Sequence, residues 1–296
     1  MAPEPTPAQL RELATPADFL QRAREAGIDR LDAQLIACAA LGVPRSWLLA
    51  HDRDPLPAEH LPRLMDWLRR RAEGEPLAYL VGDQGFFGLT LEVSPQVLIP
   101  RADTEVLVEW ALEVMDPLSR RQPPGEPLKV VDLGTGSGAI ALALASQRPD
   151  ADVTAVDFSP TALAVAQANA QRLGLGRVRF LQGSWLSPLA GERFDLIVAN
   201  PPYIAEGDAH LAALRHEPLS ALTAGPDGLD DLRLIAQQAP GHIHENGWLL
   251  LEHGFDQAEA VQQLLKDAGF TDVSTRFDLG PQPRCTGGRW PSAHRV

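Results

Sequence analysis

Asn200, Pro201, Pro202 and Tyr203 close the apolar run "FDLIVA" in a way that an ordinary turn does not. Proline cannot donate to a sheet ladder, so a strand arriving here must stop. A plain strand-ending turn favours Gly, Asp or Ser over a rigid Pro-Pro with an aromatic ring behind it. Neither Asn nor Pro is a useful general base. Both offer carbonyl oxygens, from the Asn200 side chain and the Pro201 backbone, and two fixed acceptors can grip an NH2 group through its two hydrogens. Tyr203 can stack on a flat group that carries this nitrogen. The quartet therefore suits a conjugated amine or amide, whose delocalised lone pair makes it a poor nucleophile. Acceptors on its hydrogens favour the pyramidal, positively charged geometry of a transition state. The bland alternative is a strand-ending turn with a surface Tyr.

A second constellation lies upstream. "VVDLGTGSGAIALALA" is a buried strand that runs into glycines and then a helix. Gly134, Gly136 and Gly138, with Thr135 and Ser137 between them, let the backbone turn sharply and approach a ligand closely. The next strand pattern, "VTAVDF", ends in Asp157, about 20 residues on, where a carboxylate can accept from ribose hydroxyls. Gly134, Gly136 and Ala139 also satisfy the dinucleotide fingerprint, so the loop alone does not fix the cofactor. Asp132, just before the glycines, is unhelpful beside a pyrophosphate but favourable beside the sulfonium and amino groups of S-adenosylmethionine. It could equally cap local backbone amides. In an open α/β sheet, ligands lie at the carboxyl ends of the strands, which is where both constellations fall.

The elements that must position these residues are legible from periodicity. Residues 1–74 read as a helical N-terminal domain, a candidate for partner docking. It contains "TPADFLQRAREAG", "DRLDAQLIACAALG" with Leu31, Leu35, Ile36 and Ala39 on one face, and "HLPRLMDWLRRRAEG". Residues 75–127 read as a linker. A β-hairpin turns at Gly88, a helix has Asp103 or Thr104 as its cap and Glu105 in its first turn, and the polar loop "RRQPPGEP" follows. From 128 to 296, strand and helix patterns alternate, which argues a doubly wound parallel α/β sheet. "PRCTGGRW" is a candidate final strand.

Composition narrows the class. The chain has 296 residues, a net charge of -13 and cysteines only at Cys38 and Cys285. An acidic surface repels phosphate backbones, so direct nucleic acid binding is not expected. Two distant cysteines form neither a disulfide framework nor a metal site. With no signal peptide pattern and no apolar run long enough for a membrane span, a cytoplasmic protein without a metal is expected.

The combination of "LIPRADTE", "VVDLGTGSGAIALALA", "VDFSP", "VANPPYI", "HEPLSALTAGPDGL" and "LLLEHG" resembles the bacterial peptide chain release factor glutamine methyltransferases, the PrmC/HemK family. The resemblance runs from about Glu75 to Trp290. It implies a seven-stranded Rossmann-like methyltransferase sheet whose last strand is antiparallel. The implied reaction is transfer of a methyl group from S-adenosylmethionine to the side-chain amide nitrogen of the glutamine in the Gly-Gly-Gln motif of class I peptide chain release factors. By the same resemblance, Gly134 to Gly138 hold the donor, Asp157 takes the ribose and Trp185 lies by the adenine. Asn200, Pro201, Pro202 and Tyr203 bind the glutamine, with Asn200 also near the donor. Ala102 stands where the family pattern has a second Pro, and the end "RCTGGRWPSAHRV" is long and polar, which leaves the edge of the last strand open.

Two alternatives remain beside this reading. One is an adenine amino-group methyltransferase on DNA or RNA, which would share the Asn-Pro-Pro-Tyr logic but must flip a base out of its stack. The other is a non-catalytic S-adenosylmethionine-binding module. Arg101, Asp103 and Glu105 are candidates for shaping the substrate mouth, with helix capping as the competing explanation. For His253 a packed or solvated histidine is favoured over a catalytic one, and for Arg69, Arg70 and Arg71 a solvated helix face over a docking patch.

Overall fold

The structure, a computed structural model, describes residues 14–123 and 125–292. The chain forms two compact units, one ending at Asp83 and the other beginning at Gln84. The first is helical: α1 (Pro16–Glu25), α2 (Arg30–Leu41), α3 (Arg45–Ala50), α4 (Leu61–Ala72) and α5 (Leu77–Val81). Thr15 and Asp18 form a reciprocal capping box that starts α1. Phe19, Ala23, Ile36, Leu48, Leu64 and Leu80 share one core. Leu80 explains why this unit runs past the expected boundary at Gly74, because α5 adds its apolar face to the same cluster. The buried face of α2 also differs from expectation. Ala33, Ile36, Ala37 and Ala40 point inward, whereas Leu31 is 47% exposed. The small residues let neighbouring helices approach, and the bulky Leu31 is left outside. Arg69, Arg70 and Arg71 are paired with Asp66 and Glu73, with Glu75, and with Asp32, so this helix face is tied up within its own unit.

The second unit opens with a hairpin of β1 (Asp83–Phe86) and β2 (Leu89–Glu92). Phe87 and Gly88 turn it with φ of 47° and 76°, the left-handed pair that a tight hairpin requires. The helix α6 (Glu105–Ser119) follows. Neither Asp103 nor Thr104 caps it. A single 3-10 turn already begins at Ala102, so Thr104 sits inside helical backbone and its side chain makes no cap bond.

The sheet strands are β3 (Leu128–Leu133), β4 (Ala151–Asp157), β5 (Arg179–Gln182), β6 (Phe194–Ala199), β7 (Ile243–Glu252), β8 (Thr271–Phe277) and β9 (Pro283–Arg289). Their order is β5-β4-β3-β6-β7-β9-β8, parallel throughout except for β9, which runs antiparallel to both neighbours. The seven-stranded sheet with an antiparallel last strand is thus observed, and the polar C-terminal segment supplies an internal strand. Residues 293–296 and Pro124 lie outside the described residues.

Both faces of the sheet are covered, which is why its central strands are apolar without alternation. Val130, Leu196, Val198 and Leu250 pack with α6 and α7 (Ala139–Gln147) on one face. Their neighbours Val131, Ile197, Leu249 and Leu251 pack on the other with α9 (Asp230–Gln238) and α10 (Ala258–Asp267). The helix α8 (Pro160–Arg172) joins β4 to β5. Cys38 and Cys285 are both free.

Gly287 of β9 is tightly packed. A Cβ there would lie 2.4 Å from Leu250 Cδ2 and 2.9 Å from Trp110 Cη2. Gly287→Val is therefore expected to overpack the core and cost about 1–3 kcal/mol. Urea denaturation, with a lowered midpoint at unchanged slope, is the measurement.

Candidate active site

Because β3 to β7 are parallel, their carboxyl ends share one edge, and the residues that follow each strand converge there. The register pairs Leu133 with Ala199, so Gly134 and Asn200 emerge side by side. Two cavities open at this edge. The larger, of about 520 Å³, is lined by Gly134, Gly136, Asp157, Phe158, Trp185, Asn200, Pro202 and Asp231, among others. The smaller, of about 220 Å³, is lined by Leu98, Arg101, Asn200, Pro201, Tyr203, Ile204, Leu214, Ala221 and Leu222. Asn200 belongs to both and forms part of the wall between them.

Gly134 and Gly136 adopt φ of 71° and 56°. Gly134 is needed for space as well as for its backbone, because a Cβ would sit 3.1 Å from the Trp185 ring. Gly136 donates its N–H to Asp157 Oδ2 at 2.8 Å, and Ser159 N donates to Oδ1 at the same distance. Asp157 is thereby fixed at the tip of β4, each oxygen keeping a further lone pair. Burial pushes its carboxyl above the ordinary range, against the pull of those backbone amides. Trp185 has an unusual positive φ of 50°, and its indole Nε1 donates to Asp231 Oδ1 at 3.1 Å.

The remaining loop residues turn away from the cavity. The Thr135 hydroxyl donates to Asp132 Oδ2 at 2.6 Å, and the Ser137 carbonyl accepts from the Asn169 side chain at 3.0 Å. Gly138 admits the packing of Leu142 and Ala166, which a Cβ would meet at 2.9 and 3.2 Å. Asp132 is wholly buried and also accepts from Ala141 N at 3.2 Å. Its Oδ2 thus caps local groups, while its Oδ1 is buried without a partner. Burial pushes its carboxyl up to about 7, against the Thr135 hydroxyl bond.

The larger cavity fits S-adenosylmethionine better than a dinucleotide. Its lining contains the carboxylates of Asp157 and Asp231 but no Lys or Arg. A pyrophosphate placed there would face uncompensated negative charge, whereas a sulfonium and ribose hydroxyls find acceptors. A Cβ on Gly136 would meet no protein atom within 4 Å, so the backbone borders open space.

At the end of β6, Asn200 Nδ2 donates to Thr104 Oγ1 at 3.2 Å, while its Oδ1 is buried without a partner. Such an orphaned acceptor is costly unless a ligand completes it. Pro201 is buried and Pro202 half-buried. Tyr203 is clamped through its carbonyl, which accepts from Gln257 Nε2 at 2.9 Å. A Cβ on Gly228 would fall 2.2 Å from that same oxygen. Burial, then nearby Glu252, push the Tyr203 phenol well above its ordinary range, so it is no base at neutral pH. Arg101, in the wall of the smaller cavity, is held by Glu217, which also accepts from Ile99 N at 3.1 Å.

Other residues singled out in the sequence resolve plainly. Arg101 lines the smaller cavity, Asp103 pairs with Arg284 at 3.3 Å, and Glu105 accepts from Phe87 N at 2.8 Å. His253 is buried against Thr286 and the Gly254 carbonyl, and burial lowers its pKa, as expected of a packed histidine. Among the described residues no group of His, Cys, Asp and Glu is placed to hold a metal, and no helix is long and apolar enough to cross a membrane. Sequence reasoning missed Thr104 as a partner of Asn200, Asp231 beneath Trp185, and Glu252. The signal for Glu252 was present, since it ends the apolar run "WLLLE" as Asp157 ends "VTAVD".

Comparison with known proteins agrees with this geometry. The family model described as PrmC N-terminal domain matches residues 15–82, and one described as methyltransferase domain matches 125–271. Among solved structures, the hMettl16 catalytic domain in complex with MAT2A 3'UTR hairpin 6 superposes with a TM-score of 0.55 at 13% identity, covering 80% of this chain and 84% of that one. A methyltransferase from Pyrococcus furiosus superposes at 0.50 and 16% identity, covering 77% and 99%. These establish the fold. The sequence is 49% identical over 281 residues to the release factor glutamine methyltransferase of Xylella fastidiosa, covering 94% of this chain and 99% of the relative. It is 51% identical over 263 residues to that of Pseudomonas aeruginosa, covering 88% and 92%. The chain belongs to the release factor glutamine methyltransferase family.

Proposed function

We propose that this protein transfers a methyl group from S-adenosylmethionine to the side-chain amide nitrogen of the glutamine in the Gly-Gly-Gln motif of class I peptide chain release factors. S-adenosyl-L-homocysteine is the other product, no metal takes part, and the cytoplasm is the compartment. The observation that carries the reading is the buried, unpartnered Asn200 Oδ1 at the wall shared by two cavities. Gly134, Gly136, Asp157 and Trp185 hold the donor, and Asn200, Pro201, Pro202 and Tyr203 the glutamine amide. The N-terminal helices, from Pro16 onward, help dock the partner.

Bound in the larger cavity, S-adenosylmethionine supplies an electrophilic methyl on a positively charged sulfur. Asn200 Oδ1 and the Pro201 carbonyl take the two amide hydrogens, which draws the nitrogen lone pair out of conjugation and fixes its direction. Tyr203 covers the flat face of the amide, and the shared wall holds the two reactants next to one another. The surplus proton on nitrogen leaves to water. No side chain serves as a strong base, which agrees with the neutral Tyr203 phenol and the packed His253. The acidic net charge of -13 weighs against a nucleic acid substrate.

Purified protein with labelled donor should label a release factor and leave DNA and RNA unlabelled. Label on nucleic acid alone would refute the assignment. Asn200→Ala should lower transfer by about a hundredfold or more while donor affinity, measured by calorimetry, weakens much less. Tyr203→Phe should stay within a few-fold of the parent, whereas Tyr203→Ala should lose about tenfold in kcat/KM, because the ring matters and the hydroxyl does not. Steady-state kinetics on the intact factor checks both.

A further inference from the structure

Glu252, at the end of β7, is a buried carboxyl group that the reaction above does not use. It is 1% exposed, its Oε2 has no hydrogen-bond partner, and the Thr104 hydroxyl and the Asn200 carboxamide lie near enough to lower its pKa. Asn200 Nδ2 also donates to Thr104 Oγ1 at 3.2 Å. Thr104 and Glu252, from distant parts of the sequence, thus lie behind Asn200, a residue that lines both cavities.

We propose that Glu252, acting with Thr104, is a positioning residue that locks the Asn200 carboxamide with its oxygen facing the acceptor. This rests on the reading that Asn200 grips the glutamine amide. A carboxamide has nearly the same shape after half a turn about its last torsion, so packing alone does not decide which end faces the cavity. Hydrogen bonding does. An ionised carboxylate only accepts, so Glu252 takes the single Thr104 hydrogen. The Thr104 oxygen must then receive one from the Asn200 NH2. Turned over, Asn200 would aim its oxygen at a buried carboxylate and show its own NH2 to the NH2 of the substrate, donor against donor.

The lock holds only while Glu252 is ionised. Burial pushes its carboxyl up to about 7. The Thr104 hydroxyl, then Arg284, pull it down, Asp103 pushes it up, and the Asn200 bond pulls it down. Tyr203 and Cys285 also face this group, and burial raises both, so they stay neutral while Glu252 titrates. Once protonated, Glu252 becomes a donor and can turn the Asn200 oxygen toward itself. Transfer should therefore fall as pH drops through about 7.

The test compares variants of the full-length enzyme on an intact release factor. Glu252→Gln keeps the shape, cannot ionise and allows either orientation. It should lower kcat about tenfold or more, leave donor affinity by calorimetry within about twofold, and remove the acid limb near pH 7. In protein labelled with 15N-asparagine, the Asn200 side-chain signals should titrate near pH 7 in the parent and not in Glu252→Gln. Thr104→Val should mimic this loss and Thr104→Ser should restore most of it; this pair decides the matter if Glu252→Gln does not fold. Near-parental kcat with the acid limb intact in Glu252→Gln, beside an inactive Asn200→Ala, would overturn the lock and leave the proposed function standing. An active Asn200→Ala would instead bring down the function itself.

Discussion

The pairing of Leu133 with Ala199 across β3 and β6 is the constraint on which the site depends. It makes the glycine turn and the Asn-Pro-Pro-Tyr corner neighbours at one sheet edge. A slip of one residue would also send each side chain of a strand to the opposite face. Here the cost of a slip is prohibitive, because Val130 and Val131 feed two different cores. The apolar layers that make the sheet stable thus also hold the register that the chemistry needs.

Around that edge, charge and hydrogen bonding are distributed unevenly. The larger cavity carries carboxylates and no cation, while the arginines stand farther round, Arg101 on Glu217 and Arg284 on Asp103 and Asp278. Asp132, Asp157 and Glu252 are three carboxyl groups at the ends of apolar strands, and each is raised by burial. Their partners give them different work. Asp132 binds inward and steadies the loop, Asp157 is pinned by backbone amides beside the cavity, and Glu252 lies buried with its Oε2 unpartnered behind the Asn200–Thr104 bond.

Much of this was legible in the sequence because it rests on local rules. Glycines with positive φ, prolines that end a strand and apolar runs between helix patterns all announce themselves within a few residues. The alternation of strands and helices and the places of Gly134, Gly136, Asp157 and Asn200 at the cavity follow from such signals, whereas Trp185 was marked only by the family resemblance. What stayed hidden depends on contacts between remote segments. Thr104 reads as a helix cap until the turn at Ala102 and the side chain of Asn200, 96 residues away, give it other neighbours. Asp231 lies on α9, which carries no clear start signal, since Leu229 before it caps nothing. The face of α2 was misjudged because side-chain size, not hydrophobicity, decides which residues fit against close helices.

That Asn200 stands between two chambers also bears on the order of events in a catalytic cycle. Each chamber has its own lining, and the two share only Leu98, Asn200 and Ala221. Two guests can therefore occupy the molecule together, and neither has to vacate a common space before the other arrives. Such an architecture favours a ternary assembly over a ping-pong scheme, with no group parked on the polypeptide between half-reactions.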